Sequence, residues 1–126
     1  MSTPPVRCHV VLVEDDVPAA RVLAQLLRED GCTVDVVLDG AAAVSRLARE
    51  PRPDVLVTDY RLPHIDARAI ISFARSRWPL LPVIVVTGYP NEASLWSASF
   101  SPSILTLPKP LAYQDLERAL PRASPT

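Results

Sequence analysis

The run VVLVEDD, Val10–Asp16, joins four consecutive apolar residues to three consecutive acids. Apolar residues that do not alternate with polar ones indicate a strand buried on both faces. The runs DVLVT (54–58) and PVIVV (82–86) have the same character. Strands of this kind are the central strands of a parallel sheet with helices on both sides. The sequence therefore predicts an α/β domain.

Outward from these runs, short β-branched segments alternate with helical periodicity five times. The predicted strands are His9–Val13, Thr33–Val37, Asp54–Thr58, Pro82–Val86 and Ser103–Leu107. The predicted helices are Val17–Asp30, Asp39–Arg49, Asp66–Trp78, Asn91–Phe100 and Ala112–Leu120. Because crossovers between parallel strands are right-handed, this repeat predicts a doubly wound five-stranded parallel sheet with five helices.

The charge balance limits the partners. Thirteen basic and fourteen acidic residues give a formal net charge of -1, which argues against nucleic acid or an anionic membrane surface as the main partner. No apolar run reaches the ~18 residues of a membrane span, so we expect a cytoplasmic location. Cys8 and Cys32 lie beside apolar residues and outside any CxxC spacing, and we expect buried free thiols.

The length of 126 residues fits one domain. We expect a disordered N-terminal extension over residues 1–7, a single domain over 8–121 and a flexible tail over 122–126. If the chain is complete, we expect a stand-alone domain without a separate output domain, which acts through a partner or passes its signal on in a chain of steps.

Polar residues follow four of the five predicted strands. Glu14 and Asp15 follow the first strand, and Asp59, Thr87 and Lys109 follow the third, fourth and fifth. The carboxyl ends of parallel strands form one edge of a sheet, where ligands of doubly wound folds bind. Each residue alone has an ordinary explanation, as a helix cap, a turn residue or a surface charge. Together they predict one site.

Carboxylates this close repel each other by ~4 kcal/mol per pair at 4 Å, so a divalent cation is expected among them. An all-oxygen site favours Mg²⁺ or Mn²⁺. Lys109, the only lysine in the chain, supplies a positive charge for phosphoryl oxygens. Asp59, the single acid after the central third strand, is the best candidate nucleophile.

Four separated motifs resemble the receiver domain of two-component response regulators, and in particular the chemotaxis-type receiver. They are VVLVEDD (Val10–Asp16), DVLVTDYRLP (Asp54–Pro63), VIVVTGY (Val83–Tyr89) and LPKPL (Leu107–Leu111). The resemblance implies the flavodoxin-like strand order 2-1-3-4-5 and Mg²⁺-dependent phosphorylation by a histidine kinase or histidine phosphotransferase. It also implies a bacterial-type two-component phosphorelay.

The resemblance also assigns roles to individual residues. Asp59 would be the phosphorylated aspartate, with Glu14 and Asp15 as the acidic metal-binding pair. The backbone carbonyl of Arg61 would complete the protein ligands of the metal. Thr87 would be the hydroxyl that moves to the phosphoryl group, and Lys109 would pair with it. The bond from Lys109 to Pro110 is expected to be cis.

The sequence departs from the family pattern at the switch. The family usually has an aromatic ring three residues before the lysine, where this chain has Thr106. The expected partner-binding surface is built from the fourth helix, the fifth strand and the fifth helix, with Leu95, Trp96 and Tyr113 on it. Phe100 is as well explained by core packing. We expect a monomer or a weak dimer.

Two alternatives remain. Thr106, Pro108 and the unusual fourth helix are also compatible with a receiver that binds its partner whether or not it is phosphorylated. An aspartate-based phosphatase of the haloacid type needs a second aspartate two residues after the nucleophile, and that position holds Arg61. Arg61 and Tyr89 are bulky at the positions that flank the attacking water in the family, which predicts slow hydrolysis of the phosphoaspartate.

Overall fold

Strands and helices alternate along the chain in the computed structural model, which describes residues 6–122. The strands are β1 (His9–Val13), β2 (Thr33–Val37), β3 (Val55–Asp59), β4 (Val83–Thr87) and β5 (Leu105–Pro108). The helices are α1 (Val17–Glu29), α2 (Gly40–Leu47), α3 (Ala67–Arg77), α4 (Pro90–Ser97) and α5 (Tyr113–Ala119).

The strands form one parallel sheet in the order β2-β1-β3-β4-β5. This is the flavodoxin-like order, and it confirms the predicted fold class. The order changes direction at β1, whose neighbours are β2 and β3. Loops that leave the strands on either side of this switch point diverge, so a crevice forms at the carboxyl ends of β1 and β3.

Two apolar layers cover the sheet. On one face, Ala24 and Leu27 of α1 and Leu116 of α5 pack on alternate residues of the central strands. On the other face, Leu47 of α2 and Ile70 of α3 pack on the intervening strand residues. Because β1, β3 and β4 are buried on both faces, these strands hold the residues at their carboxyl ends in a fixed arrangement.

Aspartate side chains set the starts of the first three helices. Asp16 accepts a hydrogen bond from the N–H of Ala19, Asp39 from Ala42 and Asp66 from Arg68. Each of these aspartates satisfies an otherwise unpaired donor in the first turn. Asp16 is therefore a helix cap, and it is not a member of the cluster of acids at the end of β1.

The fourth helix is shorter than predicted. Its sequence suggested a helix from Asn91 to Phe100, but α4 ends at Ser97. The hydroxyl of Ser97 donates to the carbonyl of Ser94, and that of Ser99 to the carbonyl of Trp96. Such local side-chain bonds compete with helix propagation, and they explain the early end.

Three of the strands that end at the candidate site, β3, β4 and β5, are displaced from their predicted bounds. β3 and β4 are each shifted by one residue, so they end at Asp59 and Thr87 themselves. The carboxylate of Asp54, just before β3, accepts the N–H of His9 at 2.7 Å. β5 begins at Leu105 and includes Pro108. Pro108 lies opposite Thr87 on the open edge of the sheet, where its missing N–H leaves no ladder bond unmade.

The described part of the domain begins before the predicted boundary at residue 8. The N–H of Arg7 donates to the carbonyl of Gly31 at 3.0 Å, and its guanidinium donates to the carbonyl of Glu117 at 2.9 Å. Arg7 is thus tied to the domain, although the sequence placed it in the extension. Residues 1–5 and 123–126 lie outside the described residues, so the predicted extension and tail stay predictions there.

Candidate functional site

Three carboxyl groups meet at the carboxyl edge of the sheet. Glu14 and Asp15 directly follow β1, and Asp59 ends the neighbouring strand β3. One oxygen atom from each lies within 4.8 Å of the other two. Glu14 and Asp59 are buried, whereas Asp15 is exposed. Within residues 6–122 this is the one group of three or more potential metal-ligating side chains so close together.

The crowding of these acids alters the ionisation of Glu14. Burial and the hydrogen-bonded carboxyl group of Asp59 raise the pKa of Glu14 to about 7, although the N–H of Asp16, which donates to it at 3.0 Å, acts in the opposite direction. A bound divalent cation would remove the cause of this shift, since it favours the ionised form of every ligand. Three carboxylate oxygens, two of them buried, are a donor set that fits Mg²⁺ or Mn²⁺.

The single lysine points into this cluster. The Nζ atom of Lys109 lies 3.0 Å from Oδ1 of Asp59. Its position is fixed by the sheet, because the N–H of Lys109 donates to the carbonyl of Thr87 at 2.8 Å. Burial alone lowers the pKa of Lys109, but the hydrogen bond and charge of Asp59 raise it above its ordinary value. The Lys109-Pro110 peptide bond is cis.

Thr87 ends β4, next to the strand that carries Asp59, and only 1% of it is exposed. Its hydroxyl oxygen accepts the N–H of Tyr89 at 2.8 Å. A hydroxyl that accepts one hydrogen bond still has its own proton to donate. Thr87 can therefore donate to a group on Asp59 while the start of the β4–α4 loop stays bonded to it.

Arg61 lines the same crevice, as expected for a residue whose carbonyl was predicted to ligate the metal. Its side chain forms a contact that the sequence did not predict. The guanidinium lies 3.9 Å from the ring centroid of Tyr89 and 3.1 Å from Oε2 of Glu92. These three residues connect the loop after β3 to the first turn of α4. Because Arg61 is far from Tyr89 and Glu92 in the sequence, no sequence pattern indicates the contact.

A chain of aromatic rings lies beside this contact. Tyr60 stacks on Trp96, with centroids 5.6 Å apart, and Trp96 meets Phe100 edge-on at 5.8 Å. Trp96, which was predicted for the partner-binding surface, is half-buried, and its ring packs against the core beneath α4. Its Nε1 atom is buried with no hydrogen-bond partner among the described residues. Thr106, the predicted switch position, is half-buried in β5.

Of the other residues predicted for the partner-binding surface, Leu95 is 84% exposed and is free to contact a partner. Tyr113, also predicted for this surface, is half-buried in α5 and bonds to α1. Its hydroxyl donates to the carbonyl of Leu26 in α1 at 3.2 Å and also contacts Asp30. Tyr113 thus joins α5 to α1 and is bound on the side of the sheet away from α4.

A crevice of about 790 Å³ runs from the acidic cluster along α1. Its floor holds Glu14, Asp15, Asp59 and Lys109, and its apolar wall includes Val22 of α1. Val22 is 60% exposed. The nucleophile candidate is therefore reached from solvent through an opening with one charged end and one apolar side. None of the helices in residues 6–122 is long and apolar enough to cross a membrane.

The fold and this site together define a class of protein: a doubly wound domain with an acidic, lysine-containing pocket at the switch point of its sheet. Residues 10–121 match the family described as the response regulator receiver domain. The chain belongs to this family. Receiver domains are the signalling domains of two-component phosphorelays, and they bind Mg²⁺ in an acidic pocket and are phosphorylated by histidine kinases or phosphotransferases.

Individual relatives agree with this assignment. The chain is 40% identical over 80 residues to the transcription factor SKN7 of Saccharomyces cerevisiae, covering 64% of this chain and 13% of that protein. It is 32% identical over 114 residues to the DNA-binding transcriptional regulator NtrC of Escherichia coli, covering 90% of this chain and 24% of that protein. The chain thus spans less than a quarter of the length of these relatives.

A solved structure shows the same fold. The response regulator receiver protein from Sinorhizobium medicae superimposes with a TM-score of 0.80 at 25% identity, covering 90% of this chain and 91% of that one. The backbone arrangement is therefore shared at low sequence identity, as expected when a fold is specified by its apolar pattern.

Proposed function

We propose that Asp59 accepts a phosphoryl group from a phosphohistidine of a histidine kinase or histidine phosphotransferase. One observation carries this proposal: Asp59 is a buried carboxylate with an ammonium 3.0 Å from one oxygen and two further carboxyl groups beside it. This is a nucleophile next to positive charge, in a crevice open to solvent on one side.

In the proposed reaction a carboxylate oxygen of Asp59 attacks the phosphorus atom of the donor. The new O–P bond forms as the N–P bond of the phosphohistidine breaks, and the imidazole leaves with that electron pair. Lys109 keeps its proton and neutralises charge on the phosphoryl oxygens. The hydroxyl of Thr87 donates to one of these oxygens.

Glu14, Asp15 and Asp59 would hold Mg²⁺ or Mn²⁺, together with the carbonyl of Arg61. A bound divalent ion supplies positive charge for the transferring phosphoryl group. The donor set itself supports this proposal, because burial and the neighbouring Asp59 both raise the pKa of Glu14 and favour its neutral form. Because the carboxylates of this site repel one another, a bound cation would stabilise their ionised forms.

Phosphorylation with acetyl phosphate tests the proposal. We expect the wild-type chain to gain one phosphoryl group in Mg²⁺ and to lose this gain in EDTA. Asp59→Asn should gain none. Asp39→Asn is the matched control, because Asp39 also follows a strand but caps α2 and lies outside the acidic cluster, and asparagine is an equally good cap. Labelling of Asp59→Asn at the wild-type rate would reject the proposal.

We further propose that phosphorylation changes the surface formed by α4, β5 and α5. The loop after β4 is bonded to Thr87, so movement of Thr87 towards the phosphoryl group pulls on the start of α4. Leu95 is the exposed apolar residue of that helix and the first candidate for partner contact. Leu95→Asp should weaken binding of a downstream partner without altering phosphorylation of Asp59.

The alternative is a partner-binding receiver that ignores phosphorylation. The presence of Thr106 favours this alternative, because β5 has no aromatic ring that could turn inward when Thr87 moves. Partner affinity measured with and without beryllofluoride separates the two: unchanged affinity supports the alternative, and a several-fold change supports the switch.

We propose that the chain acts in the cytoplasm as a monomer or weak dimer and that it catalyses only its own phosphorylation and dephosphorylation. The free, buried thiols Cys8 and Cys32 support a reducing compartment. The near-neutral total charge supports a protein partner over nucleic acid or a membrane surface. Arg61, two residues after Asp59, argues against the haloacid type of phosphatase.

A further inference from the structure

Two thiols face each other at the amino edge of the sheet, the edge opposite Asp59. Cys8 precedes β1 and Cys32 precedes β2, and the register that pairs His9 with Thr33 sets them side by side. Their Sγ atoms are 3.5 Å apart. Both belong to the apolar cluster beneath α1 and α5, with Cys8 fully buried and Cys32 5% exposed.

The arrangement matches what a disulfide needs. Hydrogen-bonded strands lie about 4.8 Å apart, and disulfides join residues whose Cα atoms are roughly 4.4–6.8 Å apart. The sulfur atoms have to approach to about 2 Å, a movement that small rotations about the Cα–Cβ bonds supply. The thiols do not belong to a metal cluster, since the one group of three ligating side chains in residues 6–122 is the acidic one.

We propose that Cys8 and Cys32 form a second modification site, at which a peroxide or a low-molecular-weight disulfide converts the thiol pair to an intramolecular disulfide. With hydrogen peroxide, the sulfur of Cys32 attacks one oxygen and the O–O bond breaks, which gives a sulfenic acid and water. The sulfur of Cys8 then displaces the hydroxyl group of that sulfenic acid as a second water. The two sulfurs lose two electrons in total, and the peroxide gains them.

The order of the two thiols follows from their surroundings. Cys32 is slightly exposed whereas Cys8 is fully buried, so a small oxidant reaches Cys32 first. Cys8 is held as a neutral thiol, because burial and its contact with Cys32 raise its pKa to about 12. The pair therefore stays reduced under ordinary conditions and reacts only under sustained oxidation.

The cross-link would enclose the segment that carries the acidic cluster. Cys8 and Cys32 are 24 positions apart, and β1, Glu14, Asp15 and α1 lie between them. Closing this loop restricts the unfolded chain and stabilises the fold. The thiols lie at the other edge of the sheet from Asp59, so phosphorylation should persist in the oxidised protein.

Oxidation of the full-length chain with hydrogen peroxide or diamide, followed by intact mass measurement, tests this site. We expect a loss of about 2 Da, reversal by dithiothreitol, one peptide pair that joins Cys8 to Cys32, and a Tm higher by several degrees. Cys8→Ser and Cys32→Ser should show no such loss and no rise in Tm.

Three results would overturn the proposal: addition of oxygen without loss of hydrogen, disulfides only between chains, or an unchanged mass after prolonged oxidation. The reversible change in the wild-type chain needs no variant, so the test stands even where a serine variant folds poorly. Phosphorylation of Asp59 is measured separately, and neither result depends on the other.

Discussion

The indole ring of Trp96 lies against the phenol ring of Tyr60, with centroids 5.6 Å apart and ring planes at 16°. Tyr60 is covalently next to Asp59, and Trp96 lies in α4. A movement of the backbone at Asp59 therefore reaches α4 through direct ring contact. Thr106 offers no ring on β5, so this stack and the contact of Tyr60 with Tyr89, with centroids 6.4 Å apart, are aromatic connections between the proposed phosphorylation site and α4.

The first prediction uses Trp96 as a reporter. In Trp78→Phe, the remaining tryptophan is Trp96, and its emission should change when Mg²⁺ and beryllofluoride are added, because the stack on Tyr60 rearranges. Tyr60→Leu in the same background should reduce this change by half or more while beryllofluoride still binds. A fluorescence titration measures both. Constant emission during beryllofluoride binding, detected independently by ¹⁹F NMR, would contradict the prediction.

The second prediction concerns the lifetime of the phosphoaspartate. Arg61 rests on Tyr89 and pairs with Glu92, and we expect these contacts to hold it across the route of an attacking water. An exposed ion pair contributes less than about 1 kcal/mol. We therefore expect Arg61→Ala or Tyr89→Ala to make loss of the phosphoryl group only several-fold faster. Decay of the phosphorylated chain is followed by mass spectrometry.

Arg118→Ala is the control for lifetime, because Arg118 is exposed, contacts Asp115 within α5 and does not line the crevice at the site. Its decay rate should equal that of the wild-type chain. If Arg61→Ala and Tyr89→Ala also decay at the wild-type rate, the two side chains do not shield the phosphoaspartate.

The third prediction is a pH dependence of the metal-free chain. The pKa of Glu14 is about 7 when folded, against an ordinary value of 4.5. A raised pKa means that the folded chain binds this proton more tightly, so the stability it contributes is present below pH 4.5 and is lost as pH rises towards 7. We expect Tm in EDTA to fall over this interval.

Mg²⁺ should reverse this trend, because it binds the ionised form of Glu14 and competes with the proton. Its affinity should therefore drop by up to about tenfold per pH unit below pH 7. Glu14→Gln should remove most of the pH dependence from both measurements. An unchanged pH profile of Tm in Glu14→Gln would show that another group is responsible.

The fourth prediction tests the packing beneath the β3–α3 loop. A Cβ atom on Gly40 would lie 1.7 Å from Cγ2 of Ile65, so Gly40→Ala must displace the loop that follows Asp59. We expect a loss of roughly 1–3 kcal/mol in the free energy of unfolding, measured in urea. Gly88→Ala is the control, since an added Cβ there meets no atom within 4 Å. Equal stability of the two variants would contradict the packing argument.

The parts of the fold that the sequence predicted well are those dominated by apolar periodicity. β1 and β2 begin and end at the predicted residues. α4 was predicted too long because serine hydroxyls, which have no apolar signature, end it early. Local hydrogen bonding of this kind is set by side-chain rotamers and is not visible in a hydrophobic pattern.

The sequence predicted those residues of the candidate site that lie at the ends of strands. Glu14 and Asp59 lie at the ends of buried strands and Lys109 follows the partly exposed strand β5, and the shared edge of the parallel sheet brings them together. Contacts between residues on different loops carry no such signal. Arg61 and Glu92 are 31 positions apart, and the stack of Tyr60 on Trp96 depends on the tilt of α4. The contact of Trp96 with Tyr60 was for this reason not predicted.

The central claim is that Asp59 is the phosphorylated residue, and the most direct test is to trap the acyl phosphate. The chain is phosphorylated in Mg²⁺ with a phosphohistidine donor or acetyl phosphate, reduced with borohydride, digested and sequenced by mass spectrometry. We predict that reduction converts position 59, and no other acidic position, to homoserine. Conversion at Glu14, Asp15 or Asp39 in place of Asp59, or no conversion in a chain that is phosphorylated, would contradict the account.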